Sequence, residues 1–407
     1  MACVLTLPTG LLAQQGGEPP ALRLGLSTEA IYSSNRGLDG TSEGGTFEYI
    51  ARLDFGTTFA TPTQQLDISG DVGLRHVTGA ESNVLDRGLV EPNLEIRYGR
   101  QSRDAALSAS FRINELDIAS SSLEEVIGVP DPILVTEEGT RRTTVFDTEL
   151  ELRRRAPFGL TLSAGFTGLN YRDTASPTLT DQDRFRLGAL LRFDLTPTMR
   201  ATLDLDYSTF EDFGTPEGVR ETYSLNSTLR QDLRNGDITF RLGATETENG
   251  ERYTFSTGRS LSTPLWDLSG SVGLTRDTGG DVSPDISLDV TRALPDGSLG
   301  ASFSQRIASG VDDDEEQITS LSVSYDKQLN ALTSFNASLS YSETDPTAAG
   351  SNTSSFGSVG VSLQRNLTED LQLDLGFQHR VSENVSGIRA RDNRLSVSLR
   401  RDLSARR

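Results

Sequence analysis

Residues 22–32 read Leu22-Arg-Leu-Gly-Leu-Ser-Thr-Glu-Ala-Ile-Tyr32, and residues 47–55 read Phe47-Glu-Tyr-Ile-Ala-Arg-Leu-Asp-Phe55. In both stretches nearly every second residue is apolar, and most of the residues between them are polar or charged. A period of two is typical of a β-strand that has one face in an apolar environment and the other face in a polar one. The two stretches therefore predict two amphipathic strands.

The same alternation recurs along the chain. The further segments are 66–74, 92–98, 107–113, 146–152, 160–166, 185–195, 199–207, 223–229, 238–244, 253–261, 266–274, 286–294, 299–303, 321–329, 335–341, 359–367, 371–377 and 395–403. This pattern predicts about 20 strands, with a range of 18 to 22, each near the ~9–11 residues that a tilted strand needs to cross a bilayer. An even number of strands places both chain termini on the same side of the membrane.

The connections between these segments alternate in length. Tight turns are indicated by Thr61-Pro-Thr63, Thr196-Pro-Thr198, Asn235-Gly236, Pro295-Asp-Gly297 and Thr368-Glu-Asp370. Most of the connections between them are longer and polar, and the longest spans 117–143. Short periplasmic turns and longer external loops characterise outer-membrane barrels. The predicted fold is a single all-β, transmembrane, antiparallel up-and-down β-barrel in the cell outer membrane, with two girdles of aromatic residues at the strand ends.

A short phrase recurs where strands enter the tight turns: a cation followed two or three residues later by leucine. Its occurrences are Arg192-Phe-Asp-Leu195, Arg230-Gln-Asp-Leu233, Arg259-Ser-Leu261, Lys327-Gln-Leu329, Arg365-Asn-Leu367 and Arg401-Asp-Leu403. The phrase is a repeat on the scale of one hairpin.

Composition narrows the alternatives. The chain has 407 residues, a formal net charge of -20 and only 35% hydrophobic residues, which fits several soluble domains, an acidic disordered chain or a barrel with a wet lumen. No apolar run is long enough for a transmembrane helix. The regular spacing of the apolar residues argues against disorder. A soluble β-sandwich or solenoid remains the alternative, although it would scatter its aromatic residues.

Four regions follow from this pattern. Residues 1–13 are predicted to be a signal-peptide remnant with cleavage after Ala13, which implies export. Residues 14–20 form a short periplasmic N-terminal segment, residues 21–403 the transmembrane barrel, and residues 404–407 a C-terminal tail. Cys3 is the single cysteine, so the barrel has no disulfide framework.

In each predicted strand, nearly every second position holds a polar residue, and these positions are predicted to line the lumen. The candidate lining residues are Arg52, Asp71, Arg75, Arg97, Arg112, Glu149, Arg192, Asp204, Asp206, Arg230, Arg241 and Asp289. A barrel of this strand number is too wide for side chains to fill, so we expect these groups to be hydrated. Their acidic excess would favour cations. The alternative is that they form cross-strand pairs that only stabilise the wall, since opposite charges alternate on neighbouring strands and no cluster stands apart.

Catalysis lacks its usual residues. His76 shares parity with Leu74, and His379 shares parity with Phe377, so both histidines are expected to point outward. A Ser-His hydrolase or a histidine metal site is therefore not indicated, and the chain is predicted not to be an enzyme, although a hydrolase using carboxylates alone stays open. No cofactor is predicted. A weak metal candidate is the external run Asp312, Asp313 and Asp314, which is more often a solvated loop.

The strand phrases, the preference for arginine over lysine and the Ser/Thr-rich lumen parity resemble the β-barrel porins that accompany bacterial exopolysaccharide export systems. The resemblance covers the chain after the signal segment and rests on no single diagnostic motif. It implies outer-membrane lipid, lipopolysaccharide, the outer-membrane assembly machinery and polysaccharide export proteins as partners, and no nucleic acid. The chain departs from many outer-membrane barrels because its last strand ends on Leu403 instead of an aromatic residue.

Three functions stay open at this stage. The first is a pore for small polar solutes through a hydrated, mixed-charge, net acidic lumen. The second is the outer-membrane component of an exopolysaccharide export system. The third is a non-conducting scaffold or adhesin, which would require a loop that folds inward, and the 117–143 segment is the one long enough to suggest it.

Overall fold

The computed structural model describes residues 21–38, 40, 42, 44–80, 88–118, 139–174, 179–214, 218–309, 315–346, 353–384 and 387–403. These residues form twenty β-strands. The strands are β1 (Ala21–Ser33), β2 (Thr46–Ala60), β3 (Gln64–Gly79), β4 (Gly88–Gln101), β5 (Ala105–Asp117), β6 (Thr140–Leu152), β7 (Phe158–Arg172), β8 (Gln182–Thr196), β9 (Met199–Asp212), β10 (Val219–Leu233), β11 (Gly236–Thr247), β12 (Gly250–Ser262), β13 (Trp266–Arg276), β14 (Val282–Leu294), β15 (Gly297–Ser309), β16 (Glu315–Asn330), β17 (Thr333–Pro346), β18 (Ser354–Asn366), β19 (Leu371–Glu383) and β20 (Arg389–Asp402).

The sheet closes on itself. Each strand pairs antiparallel with its neighbours in sequence, and β1 also pairs with β20, from Gly25 opposite Asp402 to Ser33 opposite Arg394. The predicted closed up-and-down barrel is therefore confirmed. Among the described residues, no helix is both long and apolar enough to cross a bilayer, a test that does not bear on strands.

The two faces of the sheet differ in chemistry. One face presents exposed apolar side chains such as Leu26, Leu225 and Leu242. The other face carries the contact between Arg75 of β3 and Asp117 at the end of β5, which are not neighbouring strands. Side chains on strands that are not adjacent converge only on the concave side of a barrel, so the charged face is the inner one and the leucine face is the outer one.

The ring is wide. With strands about 4.8 Å apart and tilted by about 40°, a closed sheet of twenty strands is roughly 40 Å across between opposite backbones. Strand n lies opposite strand n + 10 in such a ring. Side chains therefore leave a broad lumen between opposite walls, and inner-wall contacts join strands that lie close together around the ring.

The two ends of the barrel differ in their connections. Short turns at one end include 61–63, 197–198, 234–235 and 295–296, whereas most connections at the other end are longer. An exception is the connection between β11 and β12, which has only Glu248 and Asn249. We refer to the short-turn end as periplasmic and to the other as external. The predicted segments 1–13, 14–20 and 404–407 lie outside the described residues.

Aromatic side chains mark both ends of the outer face. At the external end, the rings of Tyr207 and Tyr223 lie 5.0 Å apart between centroids. At the periplasmic end, Phe158 and Phe193 lie 5.3 Å apart, and Trp266 is about one third exposed. Aromatic girdles at the two interfaces flank the apolar band of a transmembrane barrel.

The assignment of faces predicts that the same substitution will have very different effects on stability at two adjacent positions of β10. Leu225→Arg would place a charge on the outer face near the middle of the strand, and a charge at that depth costs about 2–4 kcal/mol. Ser224→Arg would place the same charge on the inner face, opposite Thr245 and close to Asp206, and we expect a change within about 0.5 kcal/mol. Denaturant titration of both variants folded in lipid vesicles measures the difference. Equal destabilisation would contradict the assignment.

Candidate functional site

The first external loop follows β1, and its described residues 34–38 turn into the barrel at the junction of β20 and β1. The Asp392 carboxylate is fully buried and accepts hydrogen bonds from the Ser33 hydroxyl at 2.8 Å and from the backbone amides of Ser34 and Asn35, each at 2.9 Å. Arg380 donates to the other oxygen of Asp392 at 2.7 Å. One carboxylate therefore fixes the start of the loop to β19 and β20.

The loop continues inward to an apolar contact. Leu38 adopts a left-handed conformation, with φ of 53°, and it packs with Phe356 and Ala390 in a small buried cluster. A non-glycine residue in this region is uncommon and is held there by its surroundings. The described part of the loop is thus shaped by tertiary contacts and departs from local preference.

A network of ion pairs holds the loop from the opposite side; we call it the loop-1 network. It consists of Arg36, Glu48, Arg52, Asp71, Arg75, Glu91 and Asp117. The Arg36 Nε atom lies 2.5 Å from Glu48 Oε1, and Arg36 Nη2 lies 3.4 Å from Asp117 Oδ2. Arg75 Nη1 approaches the same Asp117 oxygen at 3.1 Å, and Arg75 Nε lies 3.4 Å from Glu48 Oε2.

Glu91 extends the network toward the middle of the barrel. It lies at a β-bulge, where the register of β3 and β4 shifts between Asp71 and Gly73, and its φ is 51°. Its carboxylate joins Arg75 to Arg52, whose Nη2 atom lies 2.6 Å from Glu91 Oε2. Bulges commonly redirect a side chain in this way.

The centre of the network is almost inaccessible to water. The side chains of Arg36, Glu48 and Arg75 are each at most 2% exposed. Burial alone lowers the pKa of the Arg36 guanidinium, but the carboxylates of Asp117 and Glu48 outweigh burial and raise that pKa. A buried ion pair of this kind gives little net stability, yet the loss of one partner strands the other charge. The network therefore specifies the position of the loop more than it stabilises the barrel.

The predicted lining residues fall into distinct groups. Arg52, Asp71 and Arg75 belong to the loop-1 network, where Arg52 Nη1 lies 2.7 Å from Asp71 Oδ2. The expectation that no charge cluster stands apart is wrong, because the alternation of charges along single strands does not show that a loop residue and a bulge residue join them. The sequence prediction missed Arg36, Glu91, Asp117 and Asp392 as site residues.

Other predicted residues form isolated pairs. Arg97 and Arg112 share Glu95 at 2.8 and 2.7 Å. Arg230 pairs with Asp232 at 2.9 Å and with Asp237 at 3.1 Å. Arg192 donates at 2.9 Å to the carbonyl oxygens of Arg154 and Ala156 in the turn between β6 and β7. These contacts match the alternative in which wall charges stabilise the sheet.

A third group makes no ion pair within the described part of the chain. On the inner face of β6 to β14 it consists mainly of carboxylates: Asp147, Glu149, Asp204, Asp206, Asp267, Asp285 and Asp289, beside the cations Arg186 and Arg241. Unpaired charges set the field in a hydrated lumen, since the paired ones cancel locally. This sector of the wall is therefore negative.

The wall from β13 to β18 is rich in hydroxyl groups. Cross-strand serine pairs Ser271–Ser287, Ser302–Ser322 and Ser340–Ser358 each have their oxygens 2.7 Å apart. In a ring of twenty strands, much of this hydroxyl wall lies opposite the strands of the loop-1 network. The hydroxyl wall overlaps the negative sector on β13 and β14, and from β15 to β18 the described inner face carries fewer unpaired carboxylates.

The remaining predictions concern metals and histidines. The candidate Asp312, Asp313 and Asp314 lies outside the described residues. Within the described ranges, no group of three or more His, Cys, Asp and Glu side chains is placed to hold a metal ion. His379 Nδ1 lies 2.9 Å from Asn393 Oδ1 at the external end.

Comparison with known proteins identifies the fold. No protein-family model matches the chain, and no curated protein matches it. Among solved structures, the siderophore receptor PirA of Pseudomonas aeruginosa aligns with 94% of this chain and 80% of its own, at 12% identity and a TM-score of 0.51. A mutant of the ferric enterobactin receptor PfeA of the same organism aligns with 93% of this chain and 80% of its own, at 10% identity and a TM-score of 0.51. OpdQ of P. aeruginosa aligns with 95% of this chain and 100% of its own, at 12% identity and a TM-score of 0.44, too low to argue from.

At these identities the similarity concerns the fold alone. Together with the closed sheet, the lipid-compatible outer face and the aromatic girdles, it assigns the chain to the β-barrels of the Gram-negative outer membrane.

The anchor at Asp392 predicts a local change in hydrogen exchange. Asp392→Ala removes the acceptor of the Ser34 and Asn35 amides, and an unsatisfied buried group costs about 1–3 kcal/mol. We expect exchange of the 33–38 segment to accelerate by about tenfold or more, measured by mass spectrometry on the folded protein. Glu383→Ala, which breaks the exposed pair with Arg389, is the control. Unchanged exchange in Asp392→Ala would show that the anchor does not hold the loop.

Proposed function

We propose that the protein is a water-filled outer-membrane pore for small polar solutes, with a preference for cations. The observation that carries the proposal is the surplus of unpaired carboxylates on the inner face of β6 to β14, including Glu149, Asp204, Asp206 and Asp289. Barrels of 16–18 strands leave an aqueous channel, and barrels of 22 strands enclose a plug. A barrel of twenty strands lies between these sizes, so the placement of its own inward segments determines the width of the passage.

The pairing of charges supports cation preference over a neutral pore. The loop-1 network, the Glu95 pairs and the Arg230 pairs are largely self-neutralised. The unpaired carboxylates are spread around half of the ring and face water. A single carboxylate about 8 Å from a permeating ion contributes about 0.5 kcal/mol in water, so several of them enrich cations in the lumen and deplete anions.

The first external loop narrows this passage at the external end. Its described residues occupy the inner side of β1, β2, β19 and β20, held by Asp392 and by Arg36. In a ring of twenty strands the wall opposite is β9 to β12, which carries the unpaired Asp204, Asp206 and Arg241. Solutes therefore pass between a fixed, charged loop on one side and a wall with unpaired carboxylates on the other.

Polysaccharide export is a separate proposal. It is the function implied by the resemblance of the sequence to the porins that accompany exopolysaccharide export systems. Sugar-conducting walls offer flat aromatic faces to the pyranose rings. On the described inner face, aromatic side chains occur near the external end at Tyr171, Phe210 and Phe356, and the ring of Phe210 is flanked by the guanidinium groups of Arg184 and Arg220. This arrangement favours the small-solute pore. A non-conducting scaffold or adhesin is the third proposal.

Ion selectivity tests the pore. We expect the refolded protein to give stable conductance steps in a planar bilayer, with a reversal potential across a salt gradient that shows cation preference. The double variant Asp204→Asn and Asp206→Asn should lower the cation-to-anion permeability ratio by about fivefold per charge removed, because ~0.5 kcal/mol of attraction for the cation and ~0.5 kcal/mol of repulsion for the anion are both lost. Glu221→Gln with Glu251→Gln, which removes two charges from the outer face, should leave the ratio unchanged. Anion preference in the wild type would exclude the proposed charge mechanism.

The position of the loop gives an independent prediction. Arg36→Ala removes one of the two guanidinium groups that contact Glu48 and Asp117 and leaves Arg75, and the loss of a partner by a buried polar group costs about 1–3 kcal/mol locally. The loop should leave the wall, and both the single-channel conductance and the current noise should increase. Arg389→Ala, at an exposed external pair, serves as the control. A silent bilayer with inserted, folded wild type would refute the pore and favour the scaffold.

A further inference from the structure

Cations line the periplasmic end of the outer face. Near this end, the charged residues of the strands that lie on the same outer face as the leucines are all basic. They are Arg100, Arg259, Arg292, Lys327, Arg365 and Arg401. We call this set the inner-rim cations, because they lie at the rim next to the inner, periplasmic leaflet, although their side chains are on the outer face of the barrel. Four of them belong to the strand-end phrase in which a cation precedes leucine by two residues, and that spacing places both side chains on the outer face.

Apolar side chains surround these cations. Arg292 lies opposite Trp266 and Leu299, and its guanidinium carbon is 4.9 Å from the Trp266 ring centroid. Lys327 lies opposite Phe335, and Arg365 lies opposite Leu373. Long cationic side chains at such positions extend their aliphatic stems over the apolar surface and hold the charge at the level of the lipid headgroups.

Most of the inner-rim cations lack a carboxylate partner. Within the described residues, Arg100, Arg292, Lys327 and Arg365 make no ion pair, whereas Arg401 approaches Asp370 at 3.4 Å and Arg259 donates to the Asn235 amide oxygen at 3.3 Å. The chain as a whole has an excess of acidic residues. In a protein with so many carboxylates, a row of cations at one depth without ion pairs among the described residues is available to an anion from outside the chain.

The external end of the outer face carries charges of both signs, since Arg276, Arg389 and Arg391 lie there together with several carboxylates. Glu221 accepts hydrogen bonds from the hydroxyl groups of Tyr207 and Tyr223 at 2.9 and 2.8 Å, and Glu251 and Glu343 accept from Tyr253 and Tyr341. Within the described strands, the outer face is therefore basic at the periplasmic rim and of mixed charge at the external rim. A general need for polar groups at the interfaces would not exclude carboxylates from one rim and admit them at the other.

We propose that the inner-rim cations bind the phosphate groups of anionic phospholipids in the periplasmic leaflet. Guanidinium and ammonium groups at headgroup depth attract anionic lipids, and each is worth about a fivefold change in binding. A guanidinium group also matches the two oxygens of a phosphate. The positions on the outer face, between aromatic and leucine side chains, favour a lipid over an acidic macromolecule of the periplasm, which would contact the turns instead.

The test uses the full-length protein refolded in non-ionic detergent with equal amounts of phosphatidylglycerol and phosphatidylcholine. Native mass spectrometry counts the bound phospholipids of each class. We expect the wild type to retain phosphatidylglycerol over phosphatidylcholine by about fivefold or more. We expect half-molar salt to reduce this preference, because screening weakens exposed electrostatic contacts.

A matched pair of triple variants locates the effect. Arg292→Gln, Lys327→Gln and Arg365→Gln together should abolish most of the preference for phosphatidylglycerol and leave phosphatidylcholine binding unchanged. Arg276→Gln, Arg389→Gln and Arg391→Gln together remove the same charge from the external end and should retain the preference. Circular dichroism verifies that both variants are folded.

Three outcomes would overturn the proposal: equal binding of the two lipids by the wild type, a preference that survives the inner-rim substitutions, or equal losses in both triple variants. The last result would assign lipid preference to net charge. Because the wild-type measurement and its salt dependence need no variant, the proposal is tested even if a variant fails to fold. None of these results depends on whether the barrel conducts ions.

Discussion

In hydrocarbon, a backbone amide or carbonyl group without a partner costs several kcal/mol, so a sheet that crosses a membrane has no tolerated edge. The pairing of β1 with β20 is therefore the contact on which the rest of the structure depends. It joins residues 361 to 377 positions apart, from Ser33 with Arg394 to Gly25 with Asp402. The backbone hydrogen bond from the Leu403 amide to the Leu24 carbonyl oxygen continues it to the periplasmic end. Once this seam forms, every strand has two neighbours, and each side chain is committed either to lipid or to the lumen.

The seam is also where the first external loop is anchored. Asp392 on β20 binds the residues that follow β1, while Arg36 links the same loop to β2 and to the end of β5. The loop thus contacts strands on both sides of the junction and links them. A loop with this task is held more firmly than external loops usually are, which suits a segment that also defines the width of the passage.

Local periodicity determines which face a residue occupies, and so the strands, their number and the inner position of Arg52 or Asp204 were predictable from the sequence. It carries no information on contacts between distant segments. Arg36 follows Ser-Asn in a polar loop, and Glu91 precedes a proline, so both positions look like ordinary surface residues. Leu38 and Glu91 adopt positive φ angles that their residue types rarely take, because buried partners compensate for the local cost. Propensity rules therefore misjudge the residues that the tertiary structure uses to build the site.

Arginine has three different roles in this barrel. The position of each residue along the barrel axis and the face of the sheet on which it lies determine its role. On the inner face near the external end, Arg36 and Arg75 are buried among carboxylates and hold a loop in place. Farther down the inner face, Arg241 faces water among unpaired carboxylates, where it lowers the negative field without cancelling it. On the outer face near the periplasmic end, Arg292 lies over an indole ring, with no carboxylate partner among the described residues. A shift of one residue in register would exchange the last two environments, so the same closure that protects the backbone also separates the charges that act on ions from the charges that face lipid.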